Sequence, residues 1–164
     1  MSSDAPAAEK IEGRGEFALT ALAIAQGARR QLLLLTYDFD RRLYGGDAFV
    51  EAVKRFVLAD DHAQLHVLIN QPRLAVQGGH RLIELGRQLP SRIQFRELLE
   101  ERVLTHRGEL LIADQRAVLE RREPDALYAR YTPEAALMGK QRSGEFLQLW
   151  DESPTARELR VLGL

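Results

Sequence analysis

Tyr37, Asp38 and Asp40 sit at the carboxyl end of an apolar run, residues 31–37, that reads as the centre of a sheet. Open α/β sheets place their ligand groups at the carboxyl ends of such strands. The same three residues also suit a plain loop that caps the next helix. Arg41, Arg42, Arg73 and Arg107 form an anion patch if the fold gathers them, because guanidinium grips phosphate in two places. Scattered over a wet surface, they do nothing of the kind. Tyr128 and Tyr131 flank Arg130 and have the chemistry to stack on bases. His66 sits inside an apolar run and reads as a packed residue, while His80 and Arg81 begin a helix. The four histidines lie far apart and there is no cysteine, so neither zinc-ligand spacing nor thiol chemistry is present. No metal and no cofactor are expected.

Composition limits what these groups can serve. The chain has 164 residues, 45% of them hydrophobic, enough for one well-buried core and short for two. Lysine and arginine number 23 against 24 acidic residues, so no global positive field draws in nucleic acid or anionic membrane. A nucleic-acid partner therefore has only local support. The longest apolar run, residues 32–35, is far too short to cross a bilayer, so no membrane insertion and a cytoplasmic location are expected. Residues 1–14 read as a disordered leader and 15–164 as a single domain. Ile11-Glu12-Gly13-Arg14 also spells a protease site of the kind engineered into expressed proteins, or is the chain's own entry into a helix.

The elements that must position these groups follow from periodicity. Phe17, Ala21 and Ile24 predict a first helix over 16–28, and the run at 31–37, apolar without alternation, predicts a strand covered on both faces. Asp47 is a natural N-cap for a helix carrying Phe49, Val50, Val53, Phe56 and Val57. A strand at 64–69, a helix carrying Leu82, Ile83, Leu85 and Leu89, and a short strand at 93–95 come next. Residues 109–114 and 117–121 then read as a hairpin, with an edge strand at 127–131. Thr132-Pro133-Glu134 predicts the start of a last helix running to Ser153, with Phe146, Leu147 and Trp150 buried. The fold class is α/β: a mixed, mostly parallel sheet flanked by helices, closing in a β-hairpin and a helix.

This order resembles one half of a phospholipase D-like protein. The likeness rests on Thr36-Tyr37-Asp38-Phe39-Asp40 ending the first strand, the helix at 49–59, Leu65-His66-Val67-Leu68-Ile69, and Gly79-His80-Arg81-Leu82-Ile83-Glu84-Leu85. Its closest local match is Leu110-Leu111-Ile112-Ala113-Asp114-Gln115-Arg116-Ala117-Val118-Leu119. It also points to a bacterial subfamily of unknown function that includes forms attached to an acetyltransferase domain. Active members of the family carry His-x-Lys-x4-Asp, and two copies meet to form one site. One His attacks phosphorus, the other protonates the leaving group, and the lysines neutralise phosphoryl oxygens.

Laid on that signature, Arg107 takes the His position, Glu109 the Lys position and Asp114 the Asp position. A Lys-to-Glu exchange about 4 Å from a phosphate turns an attraction of roughly 4 kcal/mol, at an effective dielectric of about 20, into a repulsion of similar size. Arg107 cannot replace the histidine, since guanidinium stays protonated near neutral pH, though it can hold an anion. His106 lies one position away, so a bulge near Gly108 is needed to bring it to the site. The family's downstream Gly-Ser-x-Asn has no counterpart in Glu120-Arg121-Arg122-Glu123-Pro124.

The resemblance thus implies a catalytically inactive domain for binding or assembly, with a weak phosphate site drawing on Tyr37, Asp38, Arg73, Arg107 and Glu109. A single half implies a homodimer or a partner domain. Two alternatives stay open: a divergent phosphodiesterase or nuclease using His106 and Asp114, and a regulatory module associated with an acetyltransferase.

Overall fold

The computed structural model describes residues 7–161. Seven strands form one sheet: β1 (Glu9–Ile11), β2 (Gln31–Thr36), β3 (Gln64–Ile69), β4 (Ile93–Glu97), β5 (Glu109–Ala113), β6 (Ala117–Arg121) and β7 (Ala129–Thr132). Their order is β1-β7-β6-β5-β2-β3-β4. The sheet is mixed, as expected, but not mostly parallel. Its parallel part is confined to β2, β3 and β4, and the other four pairings are antiparallel because the chain enters β5 from the opposite direction.

Leucine alternation on β2 explains the layering. Leu32 and Leu34 face one core, Leu33 and Leu35 the other, and all four are buried. Each such burial contributes about 2 kcal/mol. The first core is closed by α1 (Gly13–Gly27), α3 (Asp47–Ala59) and α5 (Arg81–Gln88) through Phe17, Ala21, Val53, Phe56 and Leu82. The second is closed by α6 (Ala136–Glu152) through Phe146 and Trp150. On the side of the first core, α2 (Arg41–Tyr44) and α4 (Pro72–Val76) follow β2 and β3 and bury Leu43, Tyr44 and Ala75, and α7 (Arg157–Val161) follows α6.

The structure corrects several expectations. The leader does not run to residue 14: Glu9–Ile11 pairs antiparallel with β7, Ile11 is buried, and α1 begins at Gly13, while residues 1–6 lie outside the described residues. Thr132 does not cap α6, because it is spent on pairing with Val118 and the helix starts only at Ala136. Asp47 is the first residue of α3 rather than its cap, which is Gly46. Beyond α6, Thr155 bridges Arg96 and Pro154 O accepts from Glu97 N, so the tail covers part of the β4 edge. Among the described residues, no helix is long and apolar enough to cross a membrane.

Candidate functional site

Leu35 pairs with Leu110, so the carboxyl end of β2 and the amino end of β5 open at the same end of the sheet. Glu109 leads β5 and lies on the side of Leu111 and Ala113, under α1 and α3. It is 3% exposed. Its carboxyl accepts hydrogen bonds from Tyr37 N at 2.9 Å and from the Tyr44 hydroxyl at 2.7 Å. Tyr44 is itself fully buried, packed among Phe17, Phe39 and Phe49. Burial pushes Glu109 up to about 7 against the pull of the Tyr37, Tyr44 and Thr36 donors. The Tyr44 phenol is pushed well up, by burial first and then by Glu109 beside it. Asp38 is also raised, by burial and by the neighbouring Asp40.

The segment after β2 is tied down by its own side chains. Asp40 caps α2 by accepting from Arg42 N and binds the Arg42 guanidinium at 2.9 Å. Burial works to raise Asp40, but the hydrogen bonds from Arg42 outweigh it and hold the carboxyl low. Arg41 donates to Gly78 O and Gly79 O. Phe39, buried at a φ of 54°, stacks on the His80 ring at 4.0 Å, and His80 Nδ1 caps α5 by accepting from Leu82 N. A non-glycine residue at that φ persists only where packing holds it. Arg41 and Arg42 are therefore engaged, and Arg73 and Arg107 are exposed.

His106 belongs to the other side. Its Nδ1 lies 3.0 Å from Arg102 O and 3.0 Å from Thr105 Oγ1. Buried Asn70, at the end of β3, donates to Val103 O and His106 O and so holds this loop in place. The ring lines two openings. A cleft of about 430 Å³ has Leu35, Leu110, Phe146 and Leu149 in its wall, with Arg102, Arg142, Glu145 and Glu152 around it. A smaller one of about 290 Å³ reaches Gly108, Glu109, Arg121 and Arg122. Gly108 runs against the carbonyls of Arg121 and Arg122, with no space for a Cβ.

Asp114 stands at the far end of β5. Its carboxylate accepts from Arg29 N, Arg30 N and Gln31 N at 2.8, 2.8 and 2.9 Å, locking the hairpin turn to the start of β2. It shares no contact with Glu109.

The structure thus brings Tyr37, Asp38 and Glu109 together, sets His106 in the loop before β5, where its ring shares one opening with Glu109, and leaves Arg73, Arg107 and Asp114 apart. Tyr44, Asn70 and Arg121 went unread in the sequence as parts of the site. Asn70 at a strand end was the one visible signal. Arg121 faces Glu109 across the β5–β6 pair, and its charge acts on Asp38 and Tyr44. Tyr128 is covered by Lys10 at 4.6 Å, and His66 packs on Trp150 at 4.3 Å. Among the described residues, no three His, Asp or Glu side chains gather as a metal site.

Solved structures share this architecture. An archaeal chromatin protein, TrmBL2, whose structure shows a novel mode of DNA binding, superposes with a TM-score of 0.63 at 15% identity over 94% of this chain and 55% of its own. Nuc from Salmonella typhimurium, a phospholipase D family member, gives 0.62 at 12% identity, covering 92% of this chain and 98% of its own. NucT from Helicobacter pylori gives 0.58 at 8% identity with the same coverage. The chain spans about half the length of the chromatin protein and nearly the whole of the two Nuc proteins. No curated protein matches it in sequence. The fold is that of phospholipase D-like proteins, and by the match of its residues 14–162 the chain belongs to the family described as domain of unknown function (DUF7931).

Proposed function

We propose that this domain does not cleave phosphodiesters and serves in binding or assembly, pairing with a second copy or a partner domain. The observation that carries this reading is Glu109. At the position that the resemblance gives to a phosphate-neutralising lysine there is a buried carboxyl, already bonded to Tyr37 N and Tyr44. Such a group repels phosphate when charged and offers it no cation when neutral. Arg107, at the histidine position, is exposed and limited to weak anion contact. DNA binding, named for the chromatin protein of similar fold, falls to local contacts in a chain whose net charge is −1.

One observation favours the divergent-phosphodiesterase reading: His106 is oriented by a backbone carbonyl, as a working imidazole often is. The two readings separate on incubation with DNA and with bis(p-nitrophenyl) phosphate, beside the His106→Ala variant. The expected result is no turnover by either protein. Turnover that His106→Ala abolishes overturns the inactive reading.

A further inference from the structure

We infer that the opening between the end of α1 and the β5–β6 turn binds a small molecule carrying linked phosphate groups. Arg29, Arg30 and Gln31 line one side of it and Asp114 and Arg116 the other, around a volume of about 640 Å³ that suits such a molecule. The opening lies at the far end of β5 from Glu109, so the site stands whether or not the domain is silent toward phosphodiesters. The fold fixes where its arginines are rooted. Asp114 holds the amides of Arg29, Arg30 and Gln31 at 2.8, 2.8 and 2.9 Å. On its other side the turn is clamped to α6: Ala135 N donates to Arg116 O at 2.8 Å, and Gly139 lies so close to Gln115 O that a Cβ would not fit. Two segments far apart in sequence thus carry three arginines on one rigid base.

Charge selects the ligand. Among the described residues Asp114 is the one carboxylate lining the opening, and three backbone N–H groups already take most of its lone pairs. Arg29 and Arg30 are exposed and enter no ion pair among the described residues. Arg116 reaches Glu134 at 3.5 Å with both side chains exposed, 65% and 76%, so that pair gives way at little cost. The carbonyl end of α1 adds about half a negative charge, too little to offset three guanidiniums. An entering anion therefore displaces at most one loose ion pair, whereas a cation meets three like charges and one occupied carboxylate. Phosphate matches the guanidinium fork, which grips its oxygens in pairs, and linked phosphates reach arginines rooted on two segments where a single one does not. Gln31 adds a polar group: its Oε1 is buried with no partner among the described residues, and a half-turn of the amide sets NH2 donors in that place.

The test titrates the full chain by calorimetry, at constant ionic strength, with tripolyphosphate, inorganic phosphate, putrescine and a short DNA duplex. Tripolyphosphate is expected to bind saturably and more tightly than phosphate or the duplex, and putrescine not to bind. Arg29→Gln, Arg30→Gln and Arg116→Gln should each weaken tripolyphosphate by about tenfold. Arg130→Gln, at an exposed position of β7 outside the opening, should leave it unchanged. No saturable binding, equal binding of putrescine or of phosphate, equal loss in Arg130→Gln, or unchanged binding in the three site variants overturns the proposal, and tighter binding of the duplex overturns its small-molecule form. If a variant unfolds, the amide signals of Gly27 and Gln115 in the parent chain decide by NMR: a saturable shift with tripolyphosphate upholds the site and no shift overturns it.

Discussion

A carboxyl that is 3% exposed and meets an amide and a phenol, with no cation bonded to it, keeps its proton longer than one in water. Glu109 holds it to about 7, against 4.5 for an ordinary glutamate. The folded state thus binds a proton that the unfolded chain gives up near 4.5. Stability from this source is complete below 4.5 and lost as pH rises through 7, a span worth roughly 3 kcal/mol. His80 acts in the opposite sense: burial lowers it to about 4 from 6.5, so its contribution is complete above 6.5 and lost as pH falls toward 4. The Glu109→Gln variant isolates the first effect, since its amide oxygen can accept from Tyr37 N while its NH2 donates to a Tyr44 hydroxyl turned to accept, as a protonated carboxyl would. Its melting temperature relative to the parent chain should climb between pH 4.5 and 7, and a flat difference across that window in thermal melts would contradict the assignment. Gly108 makes a steric counterpart. A methyl there drives into the Arg121 and Arg122 carbonyls, so Gly108→Ala should cost about 1–3 kcal/mol in urea unfolding.

The β5–β6 hairpin is the element on which sequence and structure agree best, and its turn shows why. Asp114 and Gln115 both adopt positive φ, 54° and 58°, the backbone of a turn that matches strand twist. Asp tolerates that conformation, and here its carboxylate also gathers the N–H groups of Arg29, Arg30 and Gln31. Asp114→Ala should therefore destabilise the fold by about 2–3 kcal/mol. Gln115 gains nothing comparable from its φ, so Gln115→Gly should raise stability by a few tenths to about 1 kcal/mol, as read from denaturant midpoints. Local signals made this hairpin and the leucine run of β2 readable from the chain alone. They failed at β1, whose three residues hold only by pairing with β7 from the far end of the sequence. They failed again at Thr132, where a good capping residue was claimed by the β6 pairing. The site was half legible: the position of Glu109 could be read, but its bond to Tyr44 joins residues that no periodicity connects.

At the scale of the molecule, two of the exposed leucines stand at one end of the sheet, whereas Leu137, 84% exposed, lies on α6. Leu104 is 83% exposed in the loop before β5, and Leu127 is 89% exposed between β6 and β7. Both loops leave the sheet at the end where Glu109 and Arg121 pair. The same rim mixes Glu101, Arg107, Arg122, Glu123 and Asp125, so a twofold operation across it brings opposite charges together as readily as like ones. An isologous dimer through this end would bury both leucines and close the openings beside His106 and Gly108. A stable pairing needs about 1,200–2,000 Å² of total buried surface, which two leucines anchor but do not supply, so the surrounding loops must join in. Sedimentation equilibrium should then show a monomer–dimer equilibrium, shifted toward monomer by Leu104→Asp and by Leu127→Asp. Both positions are open to solvent in the single chain, so the substitutions should leave its stability within about 0.5 kcal/mol of the parent. A strict monomer at high protein concentration would remove the second copy as partner and leave the same rim for a different domain.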